Sequence, residues 1–345
     1  MRRVVNHRWP VLHYQRPRSP FRLCDGTAPL CHRVATVTGK SDRARPERPL
    51  RDSMIRAMTD MSSHPPADGS SPVPGYRSVY PSAYTPVHNP QDGGVVMICV
   101  CAQQKGGVGK TTSAINVAAL LALAGRRVLA VDVDPQFALT RRLGIELGEL
   151  ERTVVDVLAG WVDAGDAIIP GVHGLDVLPA TRELAGVELA LAGEVGRDSV
   201  LRDALAGLSY DAVVIDTPSN LGLLTVNALV TADVVVAPVA ADDEGAAQGV
   251  AELRATIAKL GRIRQPLPAL SVIVTKAKPR RVMSDVIDGA LASLGLEPVT
   301  RVPDRTAVEQ ADVARTPIAI SAPDSAVTLA YRELVEHLEA RWVIA

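Results

Sequence analysis

The sequence predicts an α/β fold: a mostly parallel, doubly wound sheet with helices on both faces and an irregular N-terminal extension. Three observations carry this. Short Val/Ile-rich runs alternate with Ala/Leu-rich helical segments from residue 95 onward. The runs are continuously apolar rather than alternating, which is the pattern of strands buried on both sides. The first run passes through a glycine-rich turn, QKGGVGKTT at 104–112, directly into a helical segment. Apolar residues make up 47% of the 345-residue chain and aromatics only 3%, so the core is built from Ala, Val and Leu.

Residues 95–102 (VVMICVCA) form a short apolar run of strand length. Residues 111–124 are rich in helix formers and stop at Gly125, a C-terminal helix signal. Further strands are expected at 127–132 (RVLAVD), 175–178 (LDVL), 212–216 (AVVID), 234–239 (VVVAPV), 270–275 (LSVIVT) and 299–302. Helices are expected at 197–208, around 227–231, and at 245–260, 284–294 and 325–341. No internal repeat is present.

Residues 1–93 differ from the rest. They are rich in Pro, Arg, Ser and His and lack periodicity, a composition that predicts disorder. Two other readings stay open: a basic arm that touches DNA or a partner, or a start site further downstream, at Met54, Met58, Met61 or Met97. Residues 1–60 carry thirteen Lys/Arg against five Asp/Glu, whereas residues 101–345 are acidic by about eight charges. Binding to nucleic acid therefore needs a local basic patch rather than the whole surface. The four cysteines (Cys24, Cys31, Cys99, Cys101) form no disulfide framework or zinc pattern, which fits a cytoplasmic setting. No apolar run of about 18 residues marks a transmembrane helix. No apolar run of about 7–15 residues marks a signal peptide.

The turn at 104–112 has the chemistry of a phosphate cradle. Gly106, Gly107, Val108 and Gly109 offer backbone N–H groups, and the following helix adds its positive N-terminus. Lys110 is placed to reach the β- and γ-phosphates and Thr111 to hold Mg²⁺, with Thr112 counted among the nucleotide-binding residues. The general pattern G-x-x-x-x-G-K-[ST] is met at its last three places, but Gln104 stands where its first glycine would be. Asp132 and Asp134 lie in VDVDPQ (131–136) at the carboxyl end of the second strand, where ligands of such sheets bind. A strand-ending turn with Pro135 is the plainer reading. Asp216 ends YDAVVIDTP (210–218), the form of a strand whose terminal carboxylate serves Mg²⁺.

Lys105, standing directly ahead of Gly-Gly-x-Gly-Lys-Thr-Thr, resembles the deviant Walker A motif of the ParA/MinD family of dimerising ATPases. The segments DVDPQ, VVIDTP, GLDVLPATRELAGVELAL (174–191) and TRVPDRTAVEQADVARTPI (300–318) are similar to the ParA/Soj partitioning branch, over roughly residues 96–340. The resemblance implies ATP and Mg²⁺ as cofactors and a homodimer in the ATP state. It implies non-specific DNA and a ParB-like protein as partners, and a cytoplasmic, nucleoid-associated location. It implies that Lys105 reaches the nucleotide of the other subunit, and that Asp134 positions or activates the attacking water. It places Asp132 near the metal shell, Asp216 on the metal, and Val302 and Pro303 beside the adenine. DNA contact would come from Arg280, Arg281 and Arg305, in or near the basic loops that also carry Lys276, Lys278 and Arg301; composition alone reads these as a solvated charge run. The chain departs from the branch at Phe137 and Ala138, where Gly-Asn is usual, and at Ser219 and Asn220.

Three neighbouring classes share the loop. A MinD-like membrane-cycling ATPase needs a basic amphipathic C-terminal helix, yet 325–345 carries Glu333, Glu336 and Glu339 on its polar side. An iron–sulfur reductase needs cluster cysteines, and none follows Cys101. A tyrosine autokinase ends in a tyrosine cluster, and this tail has only Tyr331. Two alternatives stay open: the MinD-like membrane-cycling ATPase and a nucleotide-switched DNA scaffold with negligible turnover.

Overall fold

The computed structural model describes residues 97–243, 245–278, 282–304 and 306–342. The expectations placed on residues 1–93, Arg280, Arg281 and Arg305 lie outside the described residues.

The sheet has eight strands: β1 (Met97–Cys101), β2 (Val128–Asp132), β3 (Ile169–Val172), β4 (Leu175–Leu178), β5 (Ala212–Asp216), β6 (Val234–Ala240), β7 (Ala269–Ala277) and β8 (Pro298–Pro303). Their spatial order is β3-β4-β2-β5-β1-β6-β7-β8. Every pairing is parallel except β3 with β4. The expected parallel architecture is therefore observed, with one antiparallel edge that the sequence reading missed. β3 is IPGV, and Pro170 and Gly171 are residues a sheet tolerates at its edge.

β1, β2 and β5 are buried at every position, because helices cover both faces. Alternate residues feed separate cores: Ile98 and Val100 face one, Met97, Cys99 and Cys101 the other. The second core is closed by α1 (Lys110–Leu123) and by α11 (Ala326–Trp342), through Leu120, Leu121, Val327, Tyr331, Leu334 and Leu338. The first is closed by α3 (Val154–Leu158), α4 (Leu184–Leu191), α5 (Val200–Leu205), α6 (Leu223–Thr231), α7 (Ala246–Lys259) and α8 (Val282–Ser293). Three more helices, α2 (Ala138–Arg142), α9 (Thr306–Ala314) and α10 (Ile318–Ser321), connect these layers. α2, α3 and α10 are too short to show a helical period in sequence.

Two features of topology place the site. β1 lies between β5 and β6: the chain leaves it for β2 on one side and later passes from β5 to β6 on the other, which opens a crevice at its carboxyl end. The parallel register aligns Cys101, Asp216 and Asp132 in one row across β1, β5 and β2. The last residue of β1 and the two strand-ending carboxylates thus meet the crevice together.

Candidate nucleotide-binding site

The loop between β1 and α1 turns on two left-handed glycines, Gly107 (φ 73°) and Gly109 (φ 97°). Side chains rarely adopt these angles. At Gly109 a Cβ would also stand 3.4 Å from Thr275 Cγ2. Thr275, near the end of β7, donates its hydroxyl to the Val108 carbonyl at 2.7 Å and ties the loop to the sheet. Gly109 caps α1 without a side chain, and the first turn of α1 contains no acidic residue. The free N–H groups and positive end of a 14-residue helix therefore face the crevice.

A cavity of about 410 Å³ opens over this loop. Gly107, Val108, Gly109, Lys110, Thr111 and Thr112 line its floor, Asp134 and Ser219 stand at the wall, and Val302, Pro303 and Val308 supply an apolar side. This size suits a small organic ligand with buried polar ends. The structure thus brings the loop, Asp134, Val302 and Pro303 into one cavity, although Val302 lies nearly two hundred residues from the loop. Lys105, Gly106, Asp132 and Asp216 are adjacent but do not line it.

The two lysines of the loop diverge. Lys110 is only 6% exposed. Its ammonium donates to the Lys105 carbonyl (3.1 Å) and to Ser219 Oγ (2.8 Å). Burial pulls its pKa below the ordinary lysine value, while Asp216 and Asp134 oppose that shift. The Lys105 side chain is 57% exposed and pairs with the buried Asp243, just past the end of β6.

The aspartates divide as well. Asp132 is completely buried, and its oxygens hold the following loop. Oδ1 accepts from Asp134 N–H at 3.1 Å. Oδ2 accepts from Thr140 N–H at 2.9 Å and from its hydroxyl at 2.8 Å. Burial pushes the Asp132 pKa to about 6 in spite of these bonds. Asp216 is equally buried, yet neither of its oxygens has a hydrogen-bond partner among the described residues. The Thr111 hydroxyl lies alongside and favours the charged form of the carboxylate. Burial first, then the Asp132 charge, drives the Asp216 pKa well above the usual carboxylate range.

A buried, unpartnered carboxylate beside Thr111 is the donor set a magnesium ion needs when phosphates supply its other oxygens. Among the described residues, no group of three or more His, Cys, Asp or Glu could hold a metal alone. Asp132 lies in register with Asp216, and its hydrogen bonds go to the loop that follows β2.

Sequence reasoning missed several functional neighbours. Asp243, Thr275, Thr140 and Arg142 carry no motif of their own. Ser219 stood out only as a departure from pattern. Of the basic residues after β7, Lys276 lines the cavity, and Lys278 pairs with Asp304 at 2.7 Å. Arg301 pairs with Asp288.

A parallel sheet, a glycine loop entering a helix at the switch point, and a terminal carboxylate beside the loop's threonine define a P-loop nucleoside-triphosphatase. Comparison with known proteins narrows the class. The family model for an AAA domain matches residues 96–267. The chromosome-partitioning ATPase Soj of Thermus thermophilus is 40% identical over 243 residues, covering 70% of this chain and 94% of that protein. The chromosome-partitioning protein ParA of Caulobacter vibrioides is 39% identical over 196 residues, 55% of this chain and 73% of the relative. Among solved structures, a Mycobacterium smegmatis protein titled cobyrinic acid a,c-diamide synthase, with bound ATP analogue and magnesium, is 33% identical. It superposes with a TM-score of 0.63 over 72% of this chain and 96% of that one. An ATP complex of McdA from Cyanothece shares the fold at TM-score 0.64 and 22% identity, over 72% of this chain and 98% of that one.

The chain belongs to the ParA/Soj family of partitioning ATPases. It is a Mg²⁺-dependent ATPase, with ATP as its nucleotide. Among the described residues, no helix is long and apolar enough to cross a membrane.

Proposed function

We propose that ATP closes two copies of the chain into a homodimer that binds DNA without sequence preference, and that a ParB-like protein stimulates hydrolysis and release during chromosome or plasmid segregation. The observation that carries this reading is the divergence of the two loop lysines. Lys110 is committed to the cavity of its own chain, whereas Lys105, on the same loop, stays outside that cavity, half-exposed and paired with Asp243. An exposed cation at the rim of a phosphate site can complete the charge balance of a second subunit's nucleotide, which couples ATP binding to dimerisation.

In this reading Lys110 and the loop N–H groups hold the β- and γ-phosphates. Thr111 and Asp216 seat Mg²⁺, which when bound neutralises phosphate charge and draws electron density from the oxygens it touches. Asp134, at the cavity wall and fixed by the Gln136 N–H at 2.9 Å, orients the attacking water. Val302 and Pro303 pack on the adenine. Arg280, Arg281 and Arg305 contact DNA phosphates, so retention weakens steeply with salt. The protein acts in the cytoplasm, on the nucleoid.

The membrane-cycling alternative needs α11 free to insert into a bilayer. Val327, Tyr331, Leu334, Val335 and Leu338 are each at most 1% exposed, so the apolar face of α11 is already used by the core. This favours DNA over lipid. The test is co-sedimentation with non-specific DNA and, in parallel, with anionic liposomes, in ADP, in ATP, and in ATP with Asp134→Ala. ATP-dependent DNA retention that is lost in Arg281→Ala and Lys105→Ala is the expected result. Liposome retention without DNA binding would replace the proposal with the membrane cycle. Retention on DNA without stimulated phosphate release would reduce the protein to a switched scaffold.

A further inference from the structure

Arg142 lines the nucleotide cavity and has no place in the chemistry described so far. It is the last residue of α2, a five-residue helix capped by Phe137, itself left-handed at φ 44°. The three hydrogen bonds that saturate Asp132 end on Asp134 and Thr140, so they fix this helix to the end of β2. Two residues beyond Thr140, the Arg142 guanidinium reaches two other elements. Nη1 donates to Thr112 Oγ1 at 3.0 Å, in the first turn of α1. Nη2 pairs with Asp312 Oδ2 at 3.0 Å, on α9.

These partners locate the guanidinium along the cavity. Lys110, Asp134 and Asp216 mark the end where the terminal phosphate sits. Thr112 lies one residue beyond the metal threonine, and α9 follows β8, which carries the apolar side of the cavity at Val302 and Pro303. Arg142 therefore stands between the phosphate cradle and the apolar side. The anionic part of a nucleoside triphosphate at that level is its α-phosphate.

We infer that Arg142 is a nucleotide-contacting residue that binds the α-phosphate, and that Asp312 competes with the nucleotide for it. This rests on the ATP reading of the cavity. The present partners of Arg142 are a neutral hydroxyl and a carboxylate that is 38% exposed. Such a pair is exchanged at little cost for a charge-assisted, two-pronged bond to phosphate. With five N–H donors in a planar fork, Arg142 can keep Thr112 on one edge while turning the other to the ligand. Because ADP and ATP share the α-phosphate, the residue contributes to both and does not distinguish them.

The test is calorimetric binding of ADP and of a non-hydrolysable ATP analogue, with Mg²⁺, to the full chain and its variants. Arg142→Ala is expected to weaken both ligands by the same factor, about tenfold. Arg142→Lys, which keeps the charge but not the fork, recovers part of that loss and covers the case in which the alanine variant melts early. Asp312→Asn is expected to tighten both ligands two- to threefold, by freeing Arg142 at about the cost of an exposed pair. Three results would overturn the inference: weakening of the ATP analogue alone, no weakening of either ligand, or a loss in Asp312→Asn as large as in Arg142→Ala. The last would make the Arg142–Asp312 pair a brace between α2 and α9. Lys110→Ala serves as the control for the site itself. If it retained full affinity, the ATP reading of the cavity would fail, and the Arg142 assignment with it.

Discussion

The ends of β2 and β5 lie side by side and finish in the same residue, yet they do opposite work. Asp132 and Asp216 are paired in register, both completely buried, and both pushed by desolvation towards the protonated form. One accepts three hydrogen bonds and anchors the turn into α2. The other accepts none among the described residues and lies beside the Thr111 hydroxyl. A buried carboxylate without donors opposes folding unless something else offsets its charge. In the proposed reading, the strand end without donors is the one that takes the cation, and the well-satisfied one is architecture. Residue type and burial do not separate the two; hydrogen-bond accounting does.

Substitutions can break this contrast from either side. The largest expected effect is on turnover: Asp216→Asn should lower phosphate release about 1000-fold, equivalent to about 4 kcal/mol. The same change should leave the melting temperature of the nucleotide-free protein unchanged or raised, because it removes a buried carboxyl group whose ionisation no donor offsets. A large drop in melting temperature would show that Asp216 is structural after all. Asp132→Ala should behave in the reverse way, costing about 3–4 kcal/mol in chemical denaturation by leaving the Asp134 and Thr140 donors unpaired.

Acidity sharpens the contrast next. The Asp132 pKa is about 6 in the folded protein, against about 3.9 for an unfolded aspartate. A raised folded value means that the native state holds the proton more tightly. This stabilisation is complete below about pH 4 and lost as pH rises through about 6, a decline of about 2–3 kcal/mol. Denaturation of the nucleotide-free protein across this window should show the fall, and Asp132→Asn should flatten it; an unchanged slope would refute the assignment. Asp216 shifts in the same direction. The smallest effect is Thr140→Val, about 1–2 kcal/mol, since one hydroxyl both donates to Asp132 and accepts from Ala180 N–H. Its stability loss should exceed any change in nucleotide affinity.

Much of the phosphate end was legible in the sequence because the chemistry is local. A phosphate cradle needs glycines, a lysine and a hydroxyl within a few residues of one another, and strand burial on both faces writes continuous apolar runs around them. Lys105, Lys110, Thr111 and Asp216 could therefore be placed by spacing and resemblance. The supports were not legible, because topology assembles them. Thr275 reaches the Val108 carbonyl across 167 residues of sequence, and Asp243 meets Lys105 across 138. Arg142 was hidden for a related reason: α2 has five residues, too few for a helical period, and is placed by the Thr140–Asp132 bonds together with the buried Leu139. The edge strand β3 escaped because IPGV carries a proline and a glycine that argue against a strand in the absence of its partner. Equally, no local pattern distinguishes Asp132 from Asp216; the distinction depends on which donors the fold brings to each.

The most direct test is a Mg²⁺ titration of ATP-analogue affinity in the wild type, in Asp216→Asn and in Thr140→Val. The account predicts that Mg²⁺ tightens binding in the wild type and in Thr140→Val. In Asp216→Asn the Mg²⁺-free affinity should persist while the tightening disappears. Full Mg²⁺ dependence in Asp216→Asn would contradict it, and would place the metal on other oxygens of the site.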